Sequence, residues 1–185
     1  MSIRQVYDTT ALLSISLIKK LDILRKLDID VFVPVSVMEE LSDIGKYRDE
    51  LGDAAKEVIR SGTIERVELE NEYKILAERI ARFPRVDRGE AEALALSYQI
   101  NAKELVIDDV DAIGGLVGIS KVIGVEIVPS SYILVGAYLK DVLDYDETKS
   151  LLKELATKRG WEQSVLYETA IIMPEEAKKL SYIMV

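Results

Sequence analysis

Five short apolar runs punctuate the chain, IRQVYD, VFV, IERVEL, LVI and EIV, and helix-spaced sequence separates each from the next. That order admits few folds. Strands that alternate with amphipathic helices pair in parallel, because each helix carries the chain back to the edge where the last strand began. The expected class is α/β, a central, mostly parallel sheet with helices on both faces. After Ser131 only helical sequence remains: YILVGAYLKDVL, ETKSLLKELATKRG, QSVLYETAI and the tail PEEAKKLSYIMV. We expect one domain over residues 1–185, its core about 1–141, with a C-terminal helical extension about 142–185 packed on it.

Local signals set the expected helix ends. TALLSISLIKKLDILRKL reads as one helix, Ser36 as the cap of SVMEELSDI, and Gly62 as the stop of DELGDAAKEVIRSG. Ser130 or Ser131 caps the helix after EIVP, and Trp161, beside Gly160, is an apolar anchor between two late helices. The closing YIMV is apolar for a chain end and predicts docking on the body or a partner.

Composition narrows the chemistry. The chain is 49% apolar and 31% charged, the balance of a folded protein rather than a disordered one. No apolar run reaches membrane-spanning length, and MSIRQVYDTTALL lacks the pattern of a secretory signal, so a cytoplasmic location without membrane attachment is expected. Cys and His are both absent. This excludes disulfides, thiolate nucleophiles, Cys-based zinc sites and any serine triad that needs an imidazole base. What remains is carboxylates, hydroxyls, Lys and Arg. A net charge of −9 argues against tight, sequence-blind binding of a phosphate backbone and suits sites for cations. Three Gln and two Asn beside abundant Glu, Lys and Arg resemble the balance of proteins from hot environments. The glycines of IGGLVGISKVIG match neither a phosphate loop nor a dinucleotide fingerprint.

In a parallel sheet every strand delivers its last residue to one edge, and ligands of open α/β folds sit there. Asp8 ends the first strand, and Asp108 and Asp109 end LVI. Glu40 falls early in the helix after VFV, and Glu90 opens a helix directly after Gly89. Each has a structural alternative: Asp8 as a helix cap, Glu40 as a solvated charge, Glu90 as a complement to the helix dipole, Asp108 and Asp109 as turn residues. Together they would repel one another in a shared cleft unless a cation offset them. Mg²⁺ and Mn²⁺ take oxygen ligands and need neither His nor Cys.

The ordered series VYDTTALL, VPVSVMEEL, DRGEAEALAL and LVIDDVDA resembles the four acidic motifs of a PIN domain, the fold of VapC-type toxin ribonucleases and related metal-dependent nucleases. It is most similar to a prokaryotic branch with GEAEA and DD motifs, and the likeness runs from Ile3 through GVEIV. The resemblance implies a PIN-like three-layer fold with extra C-terminal helices. It also implies a Mg²⁺- or Mn²⁺-dependent ribonuclease, with the toxin half of a toxin and antitoxin pair as one role. Carried over by residue, it puts Asp8, Glu90 and Asp109 at the metal, with Asp108 as the alternative fourth acid. Thr10 supports Asp8, and Glu40 orients water, which completes a catalytic set of Asp8, Glu40, Glu90 and Asp109. Candidates to touch RNA are Arg88, Lys103, Lys121 and Tyr7. Two positions depart from the pattern: Ile107 stands where a hydroxyl residue is usual, and Ile113 where many relatives are basic. The implied partners are an RNA substrate, an antitoxin protein and a second copy of the chain. The competing expectation is a non-catalytic PIN-fold interaction protein. A receiver-type phosphoacceptor domain ranks last, because IERVELE offers no acceptor Asp.

Overall fold

A computed structural model describes residues 2–183, with side-chain surroundings given through residue 176. The first half of the chain runs β1 (Ile3–Tyr7), α1 (Thr9–Leu17), α2 (Asp22–Lys26), β2 (Ile29–Pro34), α3 (Val35–Ile44), α4 (Glu50–Arg60), β3 (Ile64–Val67) and α5 (Asn71–Ile80). The second runs α6 (Arg88–Gln99), β4 (Glu104–Val106), α7 (Val110–Ile123), β5 (Glu126–Val128), α8 (Ser131–Leu139), α9 (Tyr145–Arg159) and α10 (Val165–Ile183).

All five strands pair in parallel, in the order β3-β2-β1-β4-β5. The chain first builds outward from β1 through β2 to β3, then returns to lay β4 and β5 on the other side of β1. The switch in direction therefore falls between β1 and β4, and at such a point a crevice opens at the C-terminal edge of the sheet.

Alternating side chains divide the core in two. Tyr7, Val31, Val33, Val106 and Val128 face one layer, packed with Leu12, Leu41, Val58 and Leu152 of the helices. Val6, Leu105 and Ile107 face the other, packed with Leu94, Leu96 and Leu116. The result is three layers, with α1, α4, α8 and α9 over one face and α5, α6 and α7 over the other. Each fully buried Leu or Ile stabilises this arrangement by about 1.5–3 kcal/mol. Trp161 packs against the first of the two cores, as its apolar reading anticipates.

Three local expectations differ. The long early helix is split: the Lys20 N–H bonds back to the Ile15 carbonyl at 3.1 Å, and Lys19 adopts φ of +54°. This closes α1 in the manner usually made by a glycine, so sequence gives no warning of it. Ser36 caps nothing, because α3 begins one residue earlier at Val35 and the buried Ser36 hydroxyl has no partner. The two expected late helices are one, α10, which runs Val165–Ile183 and continues through Pro174. The closing YIMV lies outside the residues whose side chains are described. Among the described residues no helix is long and apolar enough to cross a membrane.

Candidate active site

β1 delivers Asp8 to the crevice. The Asp8 N–H donates to the Val106 carbonyl at 3.1 Å and so joins the end of β1 to the end of β4. Its carboxylate caps α1: Oδ1 accepts from the Ala11 N–H at 2.8 Å, and Oδ2 from the Thr10 hydroxyl at 2.6 Å. The capping role is thus real, and the Thr10 hydroxyl is one of the two donors to this acid. Only 4% of Asp8 is exposed. Burial raises its pKa to about 8; the bonds from Thr10 and Ala11 oppose the rise and the nearby Asp108 adds to it.

Glu40 reaches the same rim from α3. Its Oε2 accepts from the Thr9 hydroxyl at 2.6 Å. The same oxygen lies 4.0 Å from where a side chain on Gly89 would begin, so Glu40 spans the starts of α1 and α6. Glu90 sits in the first turn of α6 within a capping box: Asp87 Oδ1 accepts from the Glu90 N–H, and Glu90 Oε2 accepts from the Asp87 N–H, both at 2.8 Å. Burial pushes the Glu90 pKa to about 7; the Asp87 N–H pulls it down, while Asp87, Asp109 and Glu40 add to the rise.

The two acids after β4 diverge. Asp108 is 4% exposed, and its two oxygens accept from the N–H and the hydroxyl of Ser130, both at 2.7 Å. Of the two serines that the sequence offers as caps of α8, Ser130 makes no side-chain cap bond there and the buried Ser131 hydroxyl has no partner. Asp109 is exposed and caps α7 through Oδ1, which accepts from the N–H groups of Asp111 and Ala112. Its other oxygen has no hydrogen bond within the described residues, and the same holds for one oxygen of Glu40 and one of Glu90.

The fold therefore gathers Asp8, Glu40, Glu90, Asp108 and Asp109 along one rim. Among the described residues none of them forms an ion pair with Lys or Arg. As the side chains stand, no three acids among the described residues close in tightly enough to hold a metal. Capping bonds turn Asp8, Glu90 and Asp109 toward the helix starts beside them, Thr9 and Ser130 hold Glu40 and Asp108, and mutual repulsion works against closer approach. By chemistry the set still suits Mg²⁺ or Mn²⁺: the donors are all oxygens, and Glu40, Glu90 and Asp109 each have a carboxylate oxygen to spare.

Basic residues near the rim are few. Arg88, in the first turn of α6, is exposed and bonds Glu92 at 2.6 Å. It lines a groove of about 850 Å³ together with Arg66, Lys74, Glu68, Glu78 and Glu92. Arg85 reaches from the loop before α6 to Asp111 on α7, at 2.7 Å. Close packing holds that loop, since a side chain on Gly115 would come within 2.7 Å of Val86. Lys103 precedes β4, and Lys121 lies in the last turn of α7, so both sit at the opposite edge of the sheet. Tyr7 is fully buried and donates to Gln5 Oε1 at 2.6 Å, which makes it a core residue. Ile107 is likewise core, and Ile113 packs against the second layer. Sequence reasoning missed Asp87, whose spacing to Glu90 is a capping-box signature, and missed Arg85, which left no signal.

A wholly parallel α/β sheet with acids at its switch point defines a class of edge-sited enzymes and binding proteins. A family model described as a PIN domain matches residues 4–176, and the chain belongs to that family. PIN domains are in general nucleases. No curated protein matched the chain.

Proposed function

We propose that the chain is a Mg²⁺- or Mn²⁺-dependent ribonuclease that acts in the cytoplasm, with Asp8, Glu90 and Asp109 facing the cation and Glu40 orienting water. The observation that carries this reading is a rim of acids that, among the described residues, forms no ion pair with Lys or Arg. Burial above all, with neighbouring acids adding to it, pushes the pKa of Asp8 up to about 8 and that of Glu90 to about 7. A bound divalent cation would supply the missing charge, lower the pKa of water and offset the phosphoryl oxygens.

The chain's own residues do the rest. Thr10 and the Ala11 amide fix the Asp8 side chain, Thr9 fixes Glu40, and the capping box fixes Glu90. With no His present, the proton acceptors at the rim are carboxylates, and Glu40, held by Thr9 with one oxygen unbonded, is the one left to face the attacking water. Arg88, exposed in the first turn of α6 beside Glu90, would bind a substrate phosphate on release from Glu92. Asp8→Asn should lower metal-dependent RNA cleavage by at least about 100-fold with an unchanged far-UV circular dichroism spectrum. Undiminished cleavage in that variant would sink the reading.

The toxin role adds an antitoxin as partner, and its signature is growth arrest on expression only while Asp8 is intact. A second copy is supported by the outer face of α7, where Val110 and Val117, two turns apart, are exposed. Sedimentation at the mass of one chain would exclude that dimer. The alternative, a non-catalytic interaction protein, is favoured by the acids resting in caps, and a melting temperature that rises with Mn²⁺ would count against it.

A further inference from the structure

Two aspartates follow β4, and the fold treats them oppositely. Ile107 faces the α6 side of the sheet, so the pleat sends Asp108 to the other face. There Ser130, itself wholly buried at the start of α8, grips both of its oxygens. Burial pushes the Asp108 pKa up, while Ser14, Ser130 and the Arg159 guanidinium pull it back. The fully buried Ser14 hydroxyl acts on this carboxylate without making a well-formed hydrogen bond. Arg159 comes from the last turn of α9, stacks over Trp161 at 5.4 Å, and keeps a buried Nε without a partner. Asp109 has none of these restraints beyond its cap.

We propose that Asp108 is a positioning residue rather than a metal-facing acid: gripped by Ser130 through both oxygens, it locks the start of α8 to the end of β4. Asp109 follows it directly in the chain, and Asp8 is bonded to Val106 two residues before it. Any shift of Asp108 therefore moves both neighbours. The assignment of Asp109 to the metal rests on the ribonuclease reading, whereas the lock stands on the Ser130 bonds alone. Asparagine can keep that lock, because its Oδ1 accepts from the Ser130 N–H and its Nδ2 donates to the Ser130 hydroxyl. Alanine cannot.

The test is calorimetric titration of Mn²⁺ into the wild type, Asp108→Asn and Asp109→Asn, beside amide hydrogen exchange of the metal-free wild type, Asp108→Asn and Asp108→Ala. Asp109→Asn should weaken Mn²⁺ binding at least about tenfold, and Asp108→Asn by less than about threefold. Exchange at the amide of residue 130 should speed up at least about tenfold in Asp108→Ala and stay protected in Asp108→Asn. Should the alanine variant not fold, Ser130→Ala, which removes one of the two bonds, takes its place. Loss of Mn²⁺ binding in Asp108→Asn as complete as in Asp109→Asn overturns the proposal. If the wild type binds no Mn²⁺, the metal reading falls and exchange alone decides: faster exchange with alanine but not asparagine upholds the lock, and unchanged exchange overturns it.

Discussion

Asp8 carries a large electrostatic load at the rim, and its sign can be worked out. In the unfolded chain it loses its proton near the ordinary value of 3.8, whereas in the fold it holds it to about 8. Between those values the native state binds a proton that the unfolded state lacks, so stability is greatest below the lower value and falls as pH rises toward the upper one. Glu90 acts in the same direction up to about 7. Without divalent cations the melting temperature should therefore fall by at least about 4 °C between pH 5 and pH 8, since about 1 kcal/mol corresponds to 2–4 °C in a chain of this size. Asp8→Asn should flatten much of that fall, because it keeps a capping oxygen without the charge. A wild-type profile that rises over this range would contradict the assignment.

At the scale of the element, the N-terminus of α6 separates structure from chemistry. Asp87 and Glu90 cap each other, so Asp87→Ala should cost about 1 kcal/mol in urea unfolding. Glu90→Gln keeps the box, because Gln serves at that position as well as Glu, yet removes the charge. Cleavage should collapse in the glutamine variant while its unfolding midpoint stays near wild type; retained cleavage would reduce Glu90 to a cap. This box was legible in the sequence as D-x-x-E before an Ala- and Leu-rich run. The divergence of Asp108 and Asp109 was legible too, because period-two alternation places consecutive residues on opposite faces. The grip of Ser130 on Asp108 was not, because it joins residues 22 apart and a serine before a helix reads first as a cap. The break at Lys19 escaped for a similar reason: no residue type there announces a positive φ.

For the whole molecule, the alternation of strands and helices was enough to expect the layers and the shared edge, since both follow from parallel pairing. The strand order that sets Asp8 beside Asp108 depends on long-range packing, which periodicity does not encode. The net charge of −9 and a groove holding as many acids as bases leave little to attract a phosphate backbone by charge alone. The cation is therefore the centre of the account. The most direct measurement is calorimetric titration of Mn²⁺ into metal-stripped protein at pH 7, in two buffers of different ionisation enthalpy, with Asp8→Asn alongside. The account predicts saturable binding that releases protons, because Asp8 and Glu90 must give theirs up, and affinity at least about tenfold lower in the variant. No binding, or binding that releases no protons and ignores the substitution, would contradict it.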